Sequence, residues 1–177
     1  MGFLDRFRRK PNLATVAPAV EPLADANATT TADRPDFTLS VPFRWEAVAC
    51  DEGYEFRNHT LPEQIIVTVL QHKRELASEE LEEVVTRLVA HRRSAIGQLS
   101  AGKAVLGETE LTRANGQVEG RVLGEDAPSK VQLAFVIRGT ATKTVTVALT
   151  RYMLEDAGAP FANYAGVIFD LLKIKNG

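Results

Sequence analysis

The residues that could do bond chemistry in this chain are few and scattered. They are three histidines (His59, His72, His91), a single cysteine (Cys50), and the carboxylate run Glu79, Glu80, Glu82 and Glu83. A transition-metal site needs ligands at set spacings such as H-E-x-x-H, and none of the histidines belongs to such a pattern. His59 falls in a turn beside Pro62, His72 follows a strand-like run in the charged stretch QHKRE, and His91 lies off the apolar stripe of a helical segment. A reactive thiol needs an electropositive neighbourhood, yet Cys50 is followed by Asp51 and Glu52. The four glutamates suit the positive end of a helix dipole better than a cation cage. The glycines of GQVEGRVLGED form no phosphate-loop pattern and mark bulges or close approaches within strands. Trp45 reads as a core anchor near a sheet edge. With no nucleophile–base pair assembled, the expectation is a protein that is not an enzyme and that carries neither metal nor cofactor.

The bulk composition narrows the classes further. The chain has 177 residues, 45% of them hydrophobic and 25% charged, enough for one domain with a proper core. Its net charge of −2 is unevenly spread, because Arg6, Arg8, Arg9 and Lys10 crowd the first ten residues against Asp5 alone. The remainder is mildly acidic and offers no broad basic surface for phosphates, so nucleic acid is not an expected partner. One cysteine allows no intrachain disulfide, which fits a reducing compartment. No run of about 18 apolar residues is present to span a membrane. The start MGFLDRF lacks a secretory h-region, and Arg6 stands where a myristoylation motif wants Ser or Thr. A cytoplasmic setting is expected.

The opening ten residues are the most unusual stretch. If GFLDRFRRK is helical, Phe3, Leu4 and Phe7 gather on one side, with Arg6, Arg9 and Lys10 elsewhere. So short a helix is marginal alone in water and would form on contact. The contact is another protein's groove or an anionic membrane surface, with Arg8 and Arg9 supplying charge. Residues 11–35, punctuated by Pro11, Pro18, Pro22 and Pro35, read as a disordered Ala/Pro/Thr linker. The folded domain is expected over 36–177.

Within it the hydrophobic periods change from two to 3.6 and back. DFTLSVP, WEAVACD, YEFRN and the Ile/Val-rich EQIIVTVLQ read as strands. A helix follows from an N-cap at Ser78, with Leu81, Val84, Val85, Leu88, Val89 and Ile96 as its stripe, ending at or just after Gly97. Asn115-Gly116 signals a hairpin, KVQLAFVIRG and KTVTVALTRY read as another, and PFANYAGVIFDLLKIK as a closing helix. The fold class is α+β: one antiparallel sheet of about six to eight strands packed with two amphipathic helices.

Alternation compares the sheet faces. Val131, Leu133, Phe135 and Ile137 on one strand, and Val145, Val147 and Leu149 on the next, read as a full core face. The other face (Ala134, Val136, Thr146, with Ile66 and Leu70 from EQIIVTVLQ) is small, β-branched and partly apolar. Either the two helices take opposite faces, or part of this second face awaits a partner. The candidate partner-binding residues are therefore Phe3, Leu4, Phe7, Arg8 and Arg9 in the tip, and Ile66, Leu70, Ala134, Val136 and Thr146 on the sheet.

The phrase FTLSVPFRWEAV, the strand EQIIVTVLQ followed by helix 78–97, and the closing KTVTVALTRY with FANYAGVIFDLLKIK resemble the PsbP-like superfamily over residues 36–175. Its members include a photosystem protein, a Ran-binding nuclear import factor, bacterial DcrB and the effector-associated chaperones of type VI secretion. The resemblance implies a central antiparallel sheet with helices packed on it. It also implies a function of binding other proteins, in some members by shielding apolar segments of a secreted effector. The reading is a non-enzymatic adaptor or chaperone-like module, with a membrane-tethered protein and a small-molecule binder as alternatives.

Overall fold

The computed structural model describes residues 29–42, 45–50, 53–58, 63–152 and 160–175. Five strands come first: β1 (Thr29–Asp33), β2 (Phe37–Pro42), β3 (Trp45–Cys50), β4 (Gly53–Asn58) and β5 (Glu63–Gln71). Helix α1 (Ser78–Leu99) is followed by β6 (Val105–Leu106), β7 (Glu110–Ala114), β8 (Gln117–Asp126), β9 (Val131–Gly139) and β10 (Lys143–Tyr152). Helix α2 (Phe161–Asp170) and strand β11 (Leu172–Ile174) close the chain. An eight-stranded antiparallel sheet runs β3-β4-β5-β10-β9-β8-β6, with β7 pairing β8. The expected sheet and two helices are present, and a three-stranded sheet, β1-β2-β11, is added to them.

That small sheet revises two boundaries. Thr29–Asp33, inside the stretch read as linker, pairs with β2 and buries Ala32. Leu172, read as part of the closing helix, pairs instead with Leu39. Where the helix ends at Asp170, Arg138 from β9 donates to the carbonyl of Phe169, in the last helical turn, and to that of Leu172, the first residue of β11.

The hairpin β9–β10 decides which side chains share a face. Gly139 stands opposite Thr144 around the turn Thr140–Lys143, so directly opposed residues alternate odd with even. Val145, Val147 and Leu149 therefore lie opposite Arg138, Val136 and Ala134. Phe135 lies opposite Ala148. The face expected to hold Phe135 with Val147 does not exist, and the two sets are divided between opposite sides of the sheet.

Both sides are cores. On one, Phe56, Ile65, Val67, Ala134, Val136, Val147 and Leu149 pack with Phe37, Leu39 and Val41 of β2 and with Phe161, Ile168 and Phe169 of α2. On the other, Phe135, Ile137, Val118 and Val122 pack under Leu81, Val85 and Val89 of α1. Each fully buried aliphatic or aromatic side chain contributes about 1.5–3 kcal/mol. Charges fasten the α2 side: Arg151 pairs with buried Glu63, which also accepts from the Tyr164 hydroxyl at 2.8 Å. Burial, reinforced by the Glu63 carboxylate, pushes the Tyr164 phenol up. Arg121 bonds Asp170 at 2.6 Å, and Lys143 bonds Asp36 at 2.8 Å.

Candidate functional site

Helix α1 is seated closely at its start and loosely at its end. Its cap is Ala77, one residue before the expected Ser78, and Glu80 Oε2 accepts the Ala77 N–H at 3.0 Å. Arg74 binds the same carboxylate, and these two partners hold Glu80 down at about 2. Three of the four carboxylates are thus engaged in structure, with Glu82 paired to Arg113 and Glu83 to Arg87. Beneath the first half lie two glycines. A Cβ on Gly120 would sit 2.8 Å from Val89, and one on Gly139 would sit 2.7 Å from Leu81. Gly120 was expected to mark a bulge or close approach, Gly139 was not singled out, and both let the helix approach the sheet.

Beyond Val89 nothing on the helix is fully buried. A cleft of about 740 Å³ opens there between α1 and the sheet. Ala95, Ile96 and Leu99 form its roof, while Leu133, Phe135 and Ala148 form the floor. Arg92, His91, Asp126, Thr150 and Tyr152 add polar groups. The Arg92 guanidinium lies 5.7 Å from the centroid of the Phe135 ring, and burial lowers it to about 10. Asp126 is buried and accepts the Ser129 N–H at 3.1 Å, so its carboxylate serves the β8–β9 turn. The cleft presents a greasy trough with a few polar points, which suits holding an apolar group.

The sequence-derived sheet residues fall on two surfaces. Ile66, Leu70 and Thr146 share the α1 side, where Ile66 stands opposite Ala148 and Thr146 opposite Thr68. Ile66 is buried, Thr146 half-buried and Leu70 49% exposed. Ala134 and Val136 point to the other side and are 2% and 0% exposed beneath α2 and β2. Their side chains are sealed and offer a partner nothing. Phe3, Leu4, Phe7, Arg8 and Arg9 lie outside the described residues, as does His59.

His72 does not stand free in a solvated run. It is half-buried and bonds the Ala141 carbonyl at 3.0 Å and the Thr144 hydroxyl at 2.9 Å, tying the end of β5 to the β9–β10 turn. His91 is exposed at the cleft rim. A pocket between sheet and helix was expected only for the small-molecule alternative, and the sequence did not place it because its walls come from α1, β9 and β10. The visible signal was the excess of apolar residues on KVQLAFVIRG beyond what one helix face covers.

The chain is similar to the solution structure of cyanobacterial PsbP (CyanoP) from Synechocystis sp. PCC 6803, with a TM-score of 0.62 and 12% identity. The match covers 92% of this chain and 99% of that one. A crystal structure from Bacteroides thetaiotaomicron VPI-5482 matches at a TM-score of 0.45 and 13% identity, over 86% of this chain and 50% of that one, and is too distant to carry an argument. No family model and no curated protein matches the sequence. At this identity the likeness is one of architecture, and it shows that the chain has a PsbP-like α+β fold.

Proposed function

We propose that this chain is a non-enzymatic adaptor or chaperone-like module of a bacterial assembly, which receives an apolar segment of another protein in the cleft between α1 and the sheet. The observation that carries the reading is the cleft itself, whose roof and floor are apolar and whose carboxylate is engaged in a turn. The N-terminal tip, through Phe3, Leu4, Phe7, Arg8 and Arg9, recruits the domain to its assembly. A role beside a type VI effector, in the cytoplasm, follows the same logic of shielding greasy segments. Among the described lining residues the cleft's carboxylate, Asp126, is held in the β8–β9 turn, which supports binding over catalysis.

The test is site-specific photocrosslinking from Ile96 in the full-length chain in cells. A discrete protein adduct that disappears in Ala148→Phe and Ala95→Leu, with the far-ultraviolet spectrum unchanged, is expected. An adduct indifferent to both fillings would overturn the reading. A second reading, a small apolar ligand, is favoured by the cleft's volume, which lies within the usual span for small-molecule sites of about 300–1,000 Å³. Native mass spectrometry of the purified chain separates the two. A third, peripheral membrane attachment through the basic tip, predicts salt-sensitive flotation with anionic vesicles that is lost without residues 1–10.

A further inference from the structure

We infer that the last ten residues of α1, Ala90–Leu99, form an adjustable roof over the cleft that opens and closes independently of the seated first half of the helix. Two observations point the same way. The helix runs 22 residues, and its buried side chains, Leu81, Val85 and Val89, all fall within the first twelve. Those twelve rest on Gly120 and Gly139, where the sheet has been pared to backbone to receive them. The final ten border the cleft and bury no aliphatic side chain fully, with the Arg92 guanidinium over the Phe135 ring and Ile96 only partly buried against the core.

The second observation is local chemistry. Gly97 sits inside the roof with nothing within 4 Å of where its Cβ would be, so packing does not require a glycine there. A helical glycine with room for alanine weakens the helix through backbone entropy alone. Ser94 and His91, also weak helix formers, share the segment. The roof's described tethers are polar side chains and not seated aliphatics: the Arg92 guanidinium lies over the Phe135 ring, Arg93 donates to the Gly107 carbonyl at 2.6 Å, and Ser100, just past the roof, organises the turn by accepting the Ala104 N–H at 3.1 Å. Left-handed Ala101 and Gly102, at φ 51° and 76°, then end the helix. A segment with few seated contacts and weakened propensity opens locally at lower cost than its neighbours. Closure of the roof on an occupant rests on the proposed binding role, whereas its independent opening does not.

Native-state hydrogen exchange on the full chain tests this, read at residues more than one turn from the helix end. The amides of Arg92–Ala95 are expected to exchange at least about tenfold faster, after correction for intrinsic rates, than those of Val85–Val89. Gly97→Ala is expected to slow the roof amides by about fivefold. The cleft-filling variants Ala148→Phe and Ala95→Leu, made separately, should close most of the gap by giving the roof something to rest on. Even protection along α1, or a gap that survives both fillings unchanged, would overturn the inference. No partner takes part in the experiment, so failure to crosslink a protein from Ile96 would sink the adaptor reading and leave this one standing.

Discussion

Gly120 on β8 lies directly beneath Val89 of α1, close enough that an added Cβ would sit 2.8 Å from the valine Cγ2. Valine is stiff at χ1 and cannot swing aside cheaply. Gly120→Ala is expected to destabilise the domain by about 1–3 kcal/mol through overpacking. Gly97→Ala, on the same helix but over open space, is expected to stabilise it by up to about 1 kcal/mol. Denaturant midpoints at unchanged slope read both. Equal responses to the two substitutions would mean that α1 is not seated at one end and free at the other.

The Glu63–Arg151 pair gives a second expectation. The Glu63 side chain is 1% exposed, and Arg151 stacks 4.4 Å from the centroid of the Tyr164 ring while pairing with it. Arg151→Leu strands a buried carboxylate and should cost about 3–5 kcal/mol. Adding Glu63→Leu removes the stranded charge and should recover much of that loss. A double-mutant cycle with strictly additive losses would contradict a coupled pair.

Acid stability should report the carboxylates at the α1 cap and the β2 start. Glu80 falls from 4.5 to about 2 in the fold, chiefly through Arg74 and then the Ala77 N–H. Asp36 is held below 3.8, first by its hydrogen bond from Lys143. Both folded values lie below the unfolded ones, so their stabilisation is present above about pH 4.5 and is lost as pH falls toward 2. The melting temperature of Glu80→Gln should therefore fall less steeply across that window, most visibly at low salt. Parallel curves for variant and parent would remove this carboxylate from the account.

The tip makes a separable prediction. Alanine at Phe3, Leu4 and Phe7 together should abolish recruitment of the full chain to its assembly while leaving the melting temperature of the domain unchanged. Retention of every interaction in a pull-down would leave the tip without a recruiting role. Loss of the Ile96 crosslink alone, with recruitment intact, would assign the two ends of the chain different partners.

Much of the architecture was legible because local rules governed it. Asn115-Gly116 closes the β7–β8 hairpin with both residues at positive φ, as that dipeptide favours. The stripe Leu81, Val85 and Val89 is the buried face of α1. Strand β11 was not legible: Leu172 continues the helical period of α2, yet it pairs with the edge of β2 and its carbonyl accepts from Arg138.

For the site, alternation along each strand was readable from the sequence, but the pairing between strands was not. Four residues from Thr140 to Lys143 turn the chain so that Gly139 meets Thr144, and that one parity places Ala134 and Val136 beneath α2 and Ile66 and Thr146 on the α1 side. A shift by one residue would exchange them. By itself the sequence determined which segments are strands and helices, and that two amphipathic helices must cover sheet surface, because propensity and periodicity act within a few residues. Only the tertiary structure decided which apolar side chains are sealed and where a cleft remains, because burial depends on what packs from distant parts of the chain.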